Sequence, residues 1–205
     1  RTGRGQQVEV SLFDTGLFLL ANVASNHLAS GREAGRYGNG HPNIVPYTAY
    51  PVADGMIAVA VGNDAQFRKF AELIGHAAWG EDERFRRNQD RVVNRQALDA
   101  MIAAVLKSDD ATAWIAKLQA AGIPCGRINT VSQALGDPHT AAREMVRTLA
   151  HPTAGDVRTL GIPFRFSATP ASIRRPPPTL SQHTDEVLAR LGYTTEQNEA
   201  LRRGV

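Results

Sequence analysis

The stretch Asp54-Gly55-Met56-Ile57-Ala58-Val59-Ala60-Val61-Gly62-Asn63-Asp64 decides the fold class, because a turn, a strand and a helix start follow one another in it. Asp54-Gly55 is a turn dipeptide, and the apolar run 56–61 after it is typical of a buried strand. Asn63 or Asp64 can cap the helix that follows, which Gly75 would end. The apolar residues of this helix recur at helical spacing: Phe67, Phe70, Ala71 and Ile74.

Two further helices are predicted downstream of this strand and helix. The first has an apolar stripe at three-to-four spacing, formed by Leu98, Met101, Ile102, Val105 and Leu106. The second covers residues 111–118 and is closed by Gly122, with Pro124 just beyond, which is the usual order at a helix end. Together these elements predict a small α+β domain within a chain of the α/β class.

The N-terminal residues predict a strand, a helix and a long loop. Val8, Val10 and Leu12 alternate with polar residues, as in a short strand. From Gly35 to Pro51 glycines and prolines recur, which predicts an extended loop. Between them, one helix ended by Gly31 is predicted from a stripe of Phe13, Leu17, Leu20, Ala24 and Leu28.

The C-terminal residues predict a hairpin, a linker and two helices. Residues 145–150 and 157–166 are typical of two short strands, and the prolines from 170 to 178 predict a stiff linker. Helices are expected over 184–191 and, behind a capping box of Thr194 and Gln197, up to Arg203.

Composition argues against several classes of protein. The net charge is +3, but the basic residues are spread along the chain and only 6% of residues are aromatic, which disfavours nucleic-acid binding. The longest apolar run, 56–61, is far shorter than the ~20 residues that span a membrane. Cys125 is the single cysteine, which is typical of a reducing compartment. We therefore expect a cytoplasmic protein with no nucleic-acid and no membrane partner.

Most side chains with catalytic potential lack suitable neighbours in the sequence. The six histidines never pair at helical spacing and no second cysteine exists, so no metal site is predicted. Cys125 has no base beside it and is expected to be a small buried residue rather than a nucleophile. Asp14 is expected to be a structural carboxylate, and the arginines between Arg84 and Arg95 to form a solvated helix face.

The segment Tyr37-Gly38-Asn39-Gly40-His41-Pro42-Asn43 allows two interpretations. Two glycines around an asparagine permit positive φ angles and let bare N–H groups approach an oxyanion or a phosphate. A plain surface turn explains the same pattern, and the residues alone favour that simpler interpretation.

Whole phrases of the sequence carry more information than single motifs. They lie at residues 3–14, 38–47, 121–126, 137–139, 161–167 and 182–188, beginning with Gly3-Arg4-Gly5-Gln6-Gln7-Val8-Glu9-Val10. In this order they resemble the family III, or CaiB/BaiF, CoA-transferases, which include formyl-CoA transferase, carnitine CoA-transferase and α-methylacyl-CoA racemases. The resemblance runs nearly from end to end of the chain.

The resemblance implies an enzyme that moves CoA from an acyl-CoA to a carboxylic acid. In that family an aspartate attacks the donor thioester, and an aspartyl-CoA thioester then passes CoA to the acceptor. A mobile glycine loop covers this intermediate. Its matching residues here are the candidate substrate-binding residues Gly38, Asn39, Gly40, His41 and Pro42. The CoA thioester is the substrate, so no separate cofactor is expected.

The resemblance also implies that this chain holds only part of the enzyme. The family's nucleophilic aspartate precedes the phrase at Gly3, so no catalytic residue is expected here and the chain alone should be inactive. Residues 1–34 would be helix and linker of a Rossmann-like CoA-binding large domain, 35–126 the small α+β domain, and 127–205 the linker and helices that return to the large domain. A homodimer, or association with the N-terminal half, is implied as well.

Two alternatives stay open at this point. Racemases of the same family move the α-proton of an acyl-CoA with the help of an acid after the strand 56–61, where this chain has Asn63-Asp64, an imperfect match. A non-catalytic interaction module, such as a basic nucleic-acid-binding protein, is favoured only by the pI of about 9.4 and the many arginines.

Overall fold

In the computed structural model, the described residues 3–204 divide into two compact units, 3–128 and 129–204. The first unit contains α1 (Leu12–Leu19), α2 (Ala21–Ser30), β1 (Tyr47–Val52), β2 (Gly55–Ala60), α3 (Asp64–Leu73), a 3-10 turn (Ala77–Gly80), α4 (Asn88–Val93), α5 (Arg95–Leu106), α6 (Ala111–Ala120) and β3 (Cys125–Arg127). The second contains α7 (Val131–Leu135), α8 (Pro138–Ala142), β4 (Val146–His151), β5 (Gly155–Leu160), α9 (Thr184–Arg190) and α10 (Thr195–Arg203). The mixed α/β class predicted from the sequence is confirmed.

β2 is the central strand of an antiparallel sheet with the order β1-β2-β3. Ile57 and Val59 of this strand are buried while Met56 is exposed, so one face of the sheet carries the core. The helices α3, α5 and α6 contribute much of that core, with Phe67, Phe70, Leu98, Ile102, Leu106, Trp114 and Leu118. The strand and the three helices predicted from periodicity are therefore confirmed.

Local capping explains where these helices begin and end. The side chain of Asn63 accepts a hydrogen bond from the Gln66 N–H at the start of α3, and Asp110 does the same for Ala113 in α6. Gly122 follows α6 with a positive φ of 71°, a conformation that costs glycine little.

The prediction of an uninterrupted loop from Gly35 to Pro51 is wrong, because the strand β1 begins at Tyr47. Pro51 argues against a strand when only the local sequence is considered, because proline lacks the backbone N–H that a strand residue donates. β1 lies at an edge and pairs only with β2, and an edge strand tolerates proline because one side of it needs no donor.

Two N-terminal predictions are also wrong. The alternating residues Val8, Val10 and Leu12 form no strand, and within residues 3–204 no strand pairs with them. The single predicted helix is broken in two after Leu20, where Ala21 has a φ of +45°. Gly31 does end the second helix, with a φ of +68°. No residue of α1 or α2 is buried in this chain.

The second unit contains the predicted hairpin and C-terminal helices. β4 and β5 pair antiparallel, although the second strand ends at Leu160 rather than at 166. The capping box of Thr194 and Gln197 starts α10 as predicted. Across residues 3–204, no helix combines the length and the apolar character that crossing a membrane requires.

Candidate functional site

The glycine segment forms a tight turn that is followed by a packed stretch of backbone. The Gly40 N–H donates to the Tyr37 carbonyl at 2.9 Å, and Gly38 at the tip has a φ of +57°. Gly38 and Asn39 are exposed, whereas Gly40, His41 and Pro42 are partly buried. The five predicted site residues are thus consecutive parts of one turn and its downstream leg. Their role in substrate binding stays a prediction.

Close packing explains why residue 40 is a glycine. A Cβ at this position would lie 3.1 Å from the Tyr37 carbonyl oxygen and 3.4 Å from Nη1 of Arg95. Its φ is not positive, so an alanine would be opposed by these neighbours and not by backbone strain.

The backbone of residues 41–45 is held by side chains from α4 and α5. Nη2 of Arg95 donates to the carbonyl oxygens of His41 at 2.8 Å and Pro42 at 2.9 Å. The side-chain amide of Asn88 donates to the Asn43 carbonyl at 2.7 Å and accepts from the Val45 N–H at 3.1 Å. We call Asn88, Arg91 and Arg95 the backbone clamp, because each of them binds main-chain atoms of this segment.

Arg91 is the buried member of the backbone clamp. Its Nε donates to the Val45 carbonyl at 2.6 Å, its Nη1 to the Phe85 carbonyl at 2.7 Å and its Nη2 to Asp64 Oδ1 at 2.8 Å. The guanidinium also lies over the Phe67 ring, 4.3 Å from the centroid. Burial lowers the pKa of Arg91, and the ion pair with Asp64 opposes that shift. The prediction of a solvated face for these arginines is wrong at Arg91, which has no exposed surface.

Helix α2 contacts the same segment through two asparagines. The side-chain amides of Asn26 and Asn43 bind each other reciprocally, at 2.9 and 3.0 Å. The Asn22 side chain lies 3.0 Å from Nε2 of His41, whose Nδ1 accepts from the Asn43 N–H at 3.1 Å. The imidazole stacks on Tyr47, with 5.3 Å between the ring centroids.

A partly buried polar pair, Tyr50 and Asp99, lies next to the clamp. The hydroxyl of Tyr50 on β1 donates a short hydrogen bond to Asp99 on α5. Burial raises the pKa of both groups, while the positive charge of Arg95 lowers the pKa of both.

Comparison with protein families matches residues 1–184 to the family described as CoA-transferase family III. The chain belongs to CoA-transferase family III. The succinate–glutarate CoA-transferase of Agrobacterium fabrum is 35% identical over 191 residues, which make up 93% of this chain and 48% of that protein. The human succinyl-CoA:glutarate CoA-transferase is 30% identical over 188 residues, 92% of this chain and 43% of that protein.

A solved structure of the same family has a similar fold. It is a CaiB/BaiF family protein from Brucella suis, with a TM-score of 0.72 and 40% sequence identity over 93% of this chain and 49% of that chain. This family III chain therefore spans about half the length of the relatives that it matches.

The other candidate residues of the family III chain have structural or exposed positions. Asp14 is exposed in the first turn of α1, so it is not a buried acid. Asp64 accepts from Arg91 and from the Asn88 N–H, at 2.8 and 2.9 Å. Cys125 is half-buried in β3 and burial raises its pKa, which disfavours the thiolate. Over residues 3–204 no group of three or more His, Cys, Asp or Glu side chains could hold a metal ion.

Sequence reasoning missed the backbone clamp, although its spacing held a signal. Asn88, Arg91 and Arg95 are three and four residues apart, and Asn22 and Asn26 are four apart, so each set can share one helix face. Nothing local in the sequence indicates that the backbone of residues 41–45 lies opposite these side chains.

A cavity of about 660 Å³ lies within the second unit. Arg143, Arg147 and Arg165 are among its lining residues. Two of these arginines are engaged, since Arg147 binds Glu144 at 3.1 Å and Arg165 donates to the Arg143 carbonyl at 3.1 Å.

Proposed function

We propose that this chain is the C-terminal part of an acyl-CoA:carboxylate CoA-transferase. The match to CoA-transferase family III over residues 1–184 carries the proposal. The glycine turn adds support, because Gly38 and Asn39 form an exposed tip on a firmly held leg, as a movable cover over a reacting group requires.

The proposed chemistry is nucleophilic catalysis by an aspartate outside these 205 residues, in a Rossmann-like large domain. Its carboxylate oxygen attacks the donor thioester and expels the CoA thiolate, which leaves a mixed anhydride. The thiolate then attacks the aspartyl carbonyl, releases the donor acid and forms an aspartyl-CoA thioester. The acceptor carboxylate attacks this thioester in the same two-step manner, which yields the new acyl-CoA and the free aspartate.

In this scheme the residues of the chain exclude water and stabilise charge. A thioester between aspartate and CoA is open to hydrolysis, so the site must be covered while the acceptor replaces the donor acid. The exposed N–H groups at the tip of the turn are the proposed donors to the oxyanions that develop. The candidate binding residues are Gly38, Asn39, Gly40, His41 and Pro42.

We propose short dicarboxylic acids as the acyl groups. Succinate and glutarate are named for the Agrobacterium relative, and succinyl-CoA and glutarate for the human one. Both acids carry a second carboxylate that a site selective for them must recognise.

The hydrogen bonds of Asp64 disfavour the alternative of a racemase. The only acid that follows β2 directly is Asp64, and its carboxylate oxygen accepts from both Arg91 and Asn88. A carboxylate committed to a buried guanidinium is poorly suited to exchanging an α-proton, because protonation would break the ion pair. The match to CoA-transferase family III disfavours the alternative of a non-catalytic interaction module.

The test is carried out on the intact protein with succinyl-CoA and glutarate. We expect glutaryl-CoA to form only when glutarate is present, and we expect no deuterium at the α-carbon of succinyl-CoA in heavy water. A failure to transfer CoA to any of a panel of short dicarboxylates would overturn the proposal. Deuterium uptake without an acceptor acid would favour the racemase instead.

A further inference from the structure

We propose that Arg95 is a positioning residue that fixes the downstream leg of the glycine turn, so that only the tip before Gly40 moves during the reaction. The inference rests on the proposed function for its catalytic consequence. The anchoring itself rests on contacts within residues 37–99.

The first observation is that one guanidinium nitrogen binds two successive carbonyl oxygens. Nη2 of Arg95 lies 2.8 Å from the His41 oxygen and 2.9 Å from the Pro42 oxygen. Hydrogen bonds from a charged donor are stronger than those between neutral groups. The orientation of both peptide groups is therefore fixed by a single side chain.

The second observation is that Arg95 also contacts the turn itself. Its Cζ lies 5.9 Å from the centroid of the Tyr37 ring, and its Nη1 occupies the space into which a Cβ on Gly40 would point. Tyr37 and Gly40 are the two ends of the turn, joined by the 2.9 Å hydrogen bond between Gly40 and Tyr37. Arg95 thus contacts the base of the turn as well as the leg.

The third observation is that Arg95 is held by a rigid part of the molecule. It is the first residue of α5, which is packed into the core by Leu98 and Ile102. One turn further along the helix lies Asp99, which Tyr50 binds from β1. An anchor on a helix that is packed into the core has little freedom to follow the tip when the tip moves.

The tip offers a contrast within the same few residues. Gly38 and Asn39 are exposed, and a Cβ on Gly38 would meet no atom within 4 Å. A held leg next to an open tip gives the turn a fixed hinge near Gly40. The tip can then close over an acyl intermediate and return to one position, because the hinge does not shift.

The test compares Arg95→Met, Arg95→Lys and Gly40→Ala with the wild type of the intact protein. Arg95→Met removes the donors and keeps similar bulk, whereas Arg95→Lys keeps the charge. Gly40→Ala disturbs the same contact from the side of the turn. The matched controls are Arg86→Met, at an exposed arginine of the same unit, and Gly35→Ala, where an added Cβ meets nothing within 4 Å.

Amide hydrogen exchange is the first readout. We expect exchange in residues 36–43 to rise about tenfold in Arg95→Met and Gly40→Ala, as expected for the loss of a charged hydrogen bond. Exchange in β2 should stay unchanged, and Arg95→Lys should lie between Arg95→Met and wild type. Unchanged exchange at residues 36–43 in both variants would overturn the inference, and if Arg95→Met does not fold, the other two variants decide.

Kinetics form the second readout. We expect kcat to fall about tenfold while KM for the acyl-CoA changes less than about twofold, because the turn acts on the intermediate and not on the bound substrate. Hydrolysis of the acyl-CoA relative to transfer should rise as water enters. Raised exchange with unchanged kcat and hydrolysis would leave Arg95 as an anchor and overturn its role in the reaction. A wild-type protein without transferase activity would overturn the proposed function, and the exchange data would then decide the anchoring alone.

Discussion

Arg91 illustrates at the scale of one residue how a buried charge supports an irregular segment. Substitution by methionine fills a similar volume but leaves the buried carbonyl oxygens of Val45 and Phe85 without their donor. Each unsatisfied buried group costs ~1–3 kcal/mol, so we expect Arg91→Met to lower the free energy of unfolding by about 3 kcal/mol in urea titrations. Asp64 adds little to this loss, because its side chain is 44% exposed and water can replace the guanidinium.

The control for this prediction is Arg86→Met, which removes an exposed arginine near the same helix. Its ion pair with Glu83 spans 3.9 Å, and exposed pairs of this kind contribute ~0–1 kcal/mol. If the two methionine variants have the same unfolding midpoint, the clamp does not carry the stability that we assign to it.

Asp99 makes the stability of the protein depend on pH. Because burial raises its pKa above the ordinary value of 3.8, the folded protein binds this proton more tightly than the unfolded chain does. This contribution to stability is present below pH 3.8 and is lost as the pH rises towards the pKa of the folded state. We expect Asp99→Asn, which still accepts from Tyr50, to gain stability relative to wild type over that range.

Unfolding free energies of wild type and Asp99→Asn, measured from pH 3 upwards, test this expectation. Since other carboxylates contribute equally to both proteins, only their difference reports on Asp99. A difference that stays constant with pH, or that grows in favour of the wild type, would contradict the raised pKa.

At the scale of helices and strands, the sequence predicted what local chemistry determines. β2, α3, α5 and α6 were found because apolar spacing and caps such as Asn63 act within a few residues. β1 was missed because Pro51 is a local breaker, and its position at a sheet edge is a property of the whole sheet. The same limit applies to α1 and α2, whose separation at Ala21 follows no signal in the apolar pattern.

Only one part of the candidate site could be predicted from the sequence. The turn Gly38–Pro42 was found from glycine content and from the resemblance, and its substrate-binding role is still a prediction. The clamp that holds it was not found, because arginines at helical spacing look alike whether they face water or the backbone of a distant segment. Arg91 differs from Arg86 in the segment that lies opposite its side chain. For Arg91 that segment includes Val45, which is 46 residues away in the sequence.

At the scale of the whole molecule, α1 and α2 present apolar surface to solvent. Leu12, Phe13 and Phe18 are 91%, 74% and 85% exposed, although a helix that is apolar on all sides normally lies inside a protein. We expect the 205-residue chain, produced alone, to sediment as a species larger than 22.2 kDa or to retain an N-terminal half if one is supplied.

Charged substitutions on these helices identify the surface involved. Phe13→Asp together with Phe18→Asp should shift the chain towards the monomer, whereas Val93→Asp, at a residue 85% exposed on α4, should not. A well-folded monomer that binds no apolar dye before any substitution would contradict the assignment of this surface to association.

The backbone clamp has a consequence for how the enzyme can change through evolution. Within residues 41–45, the contacts of Asn88, Arg91 and Arg95 are all with main-chain atoms, so these contacts do not require a particular side chain on that leg. A mutation at Asn39, at the exposed tip, can therefore alter the surface of the turn while the clamp still holds the leg. If the turn binds the substrate as proposed, the acid that it accepts can change without loss of the geometry of the leg.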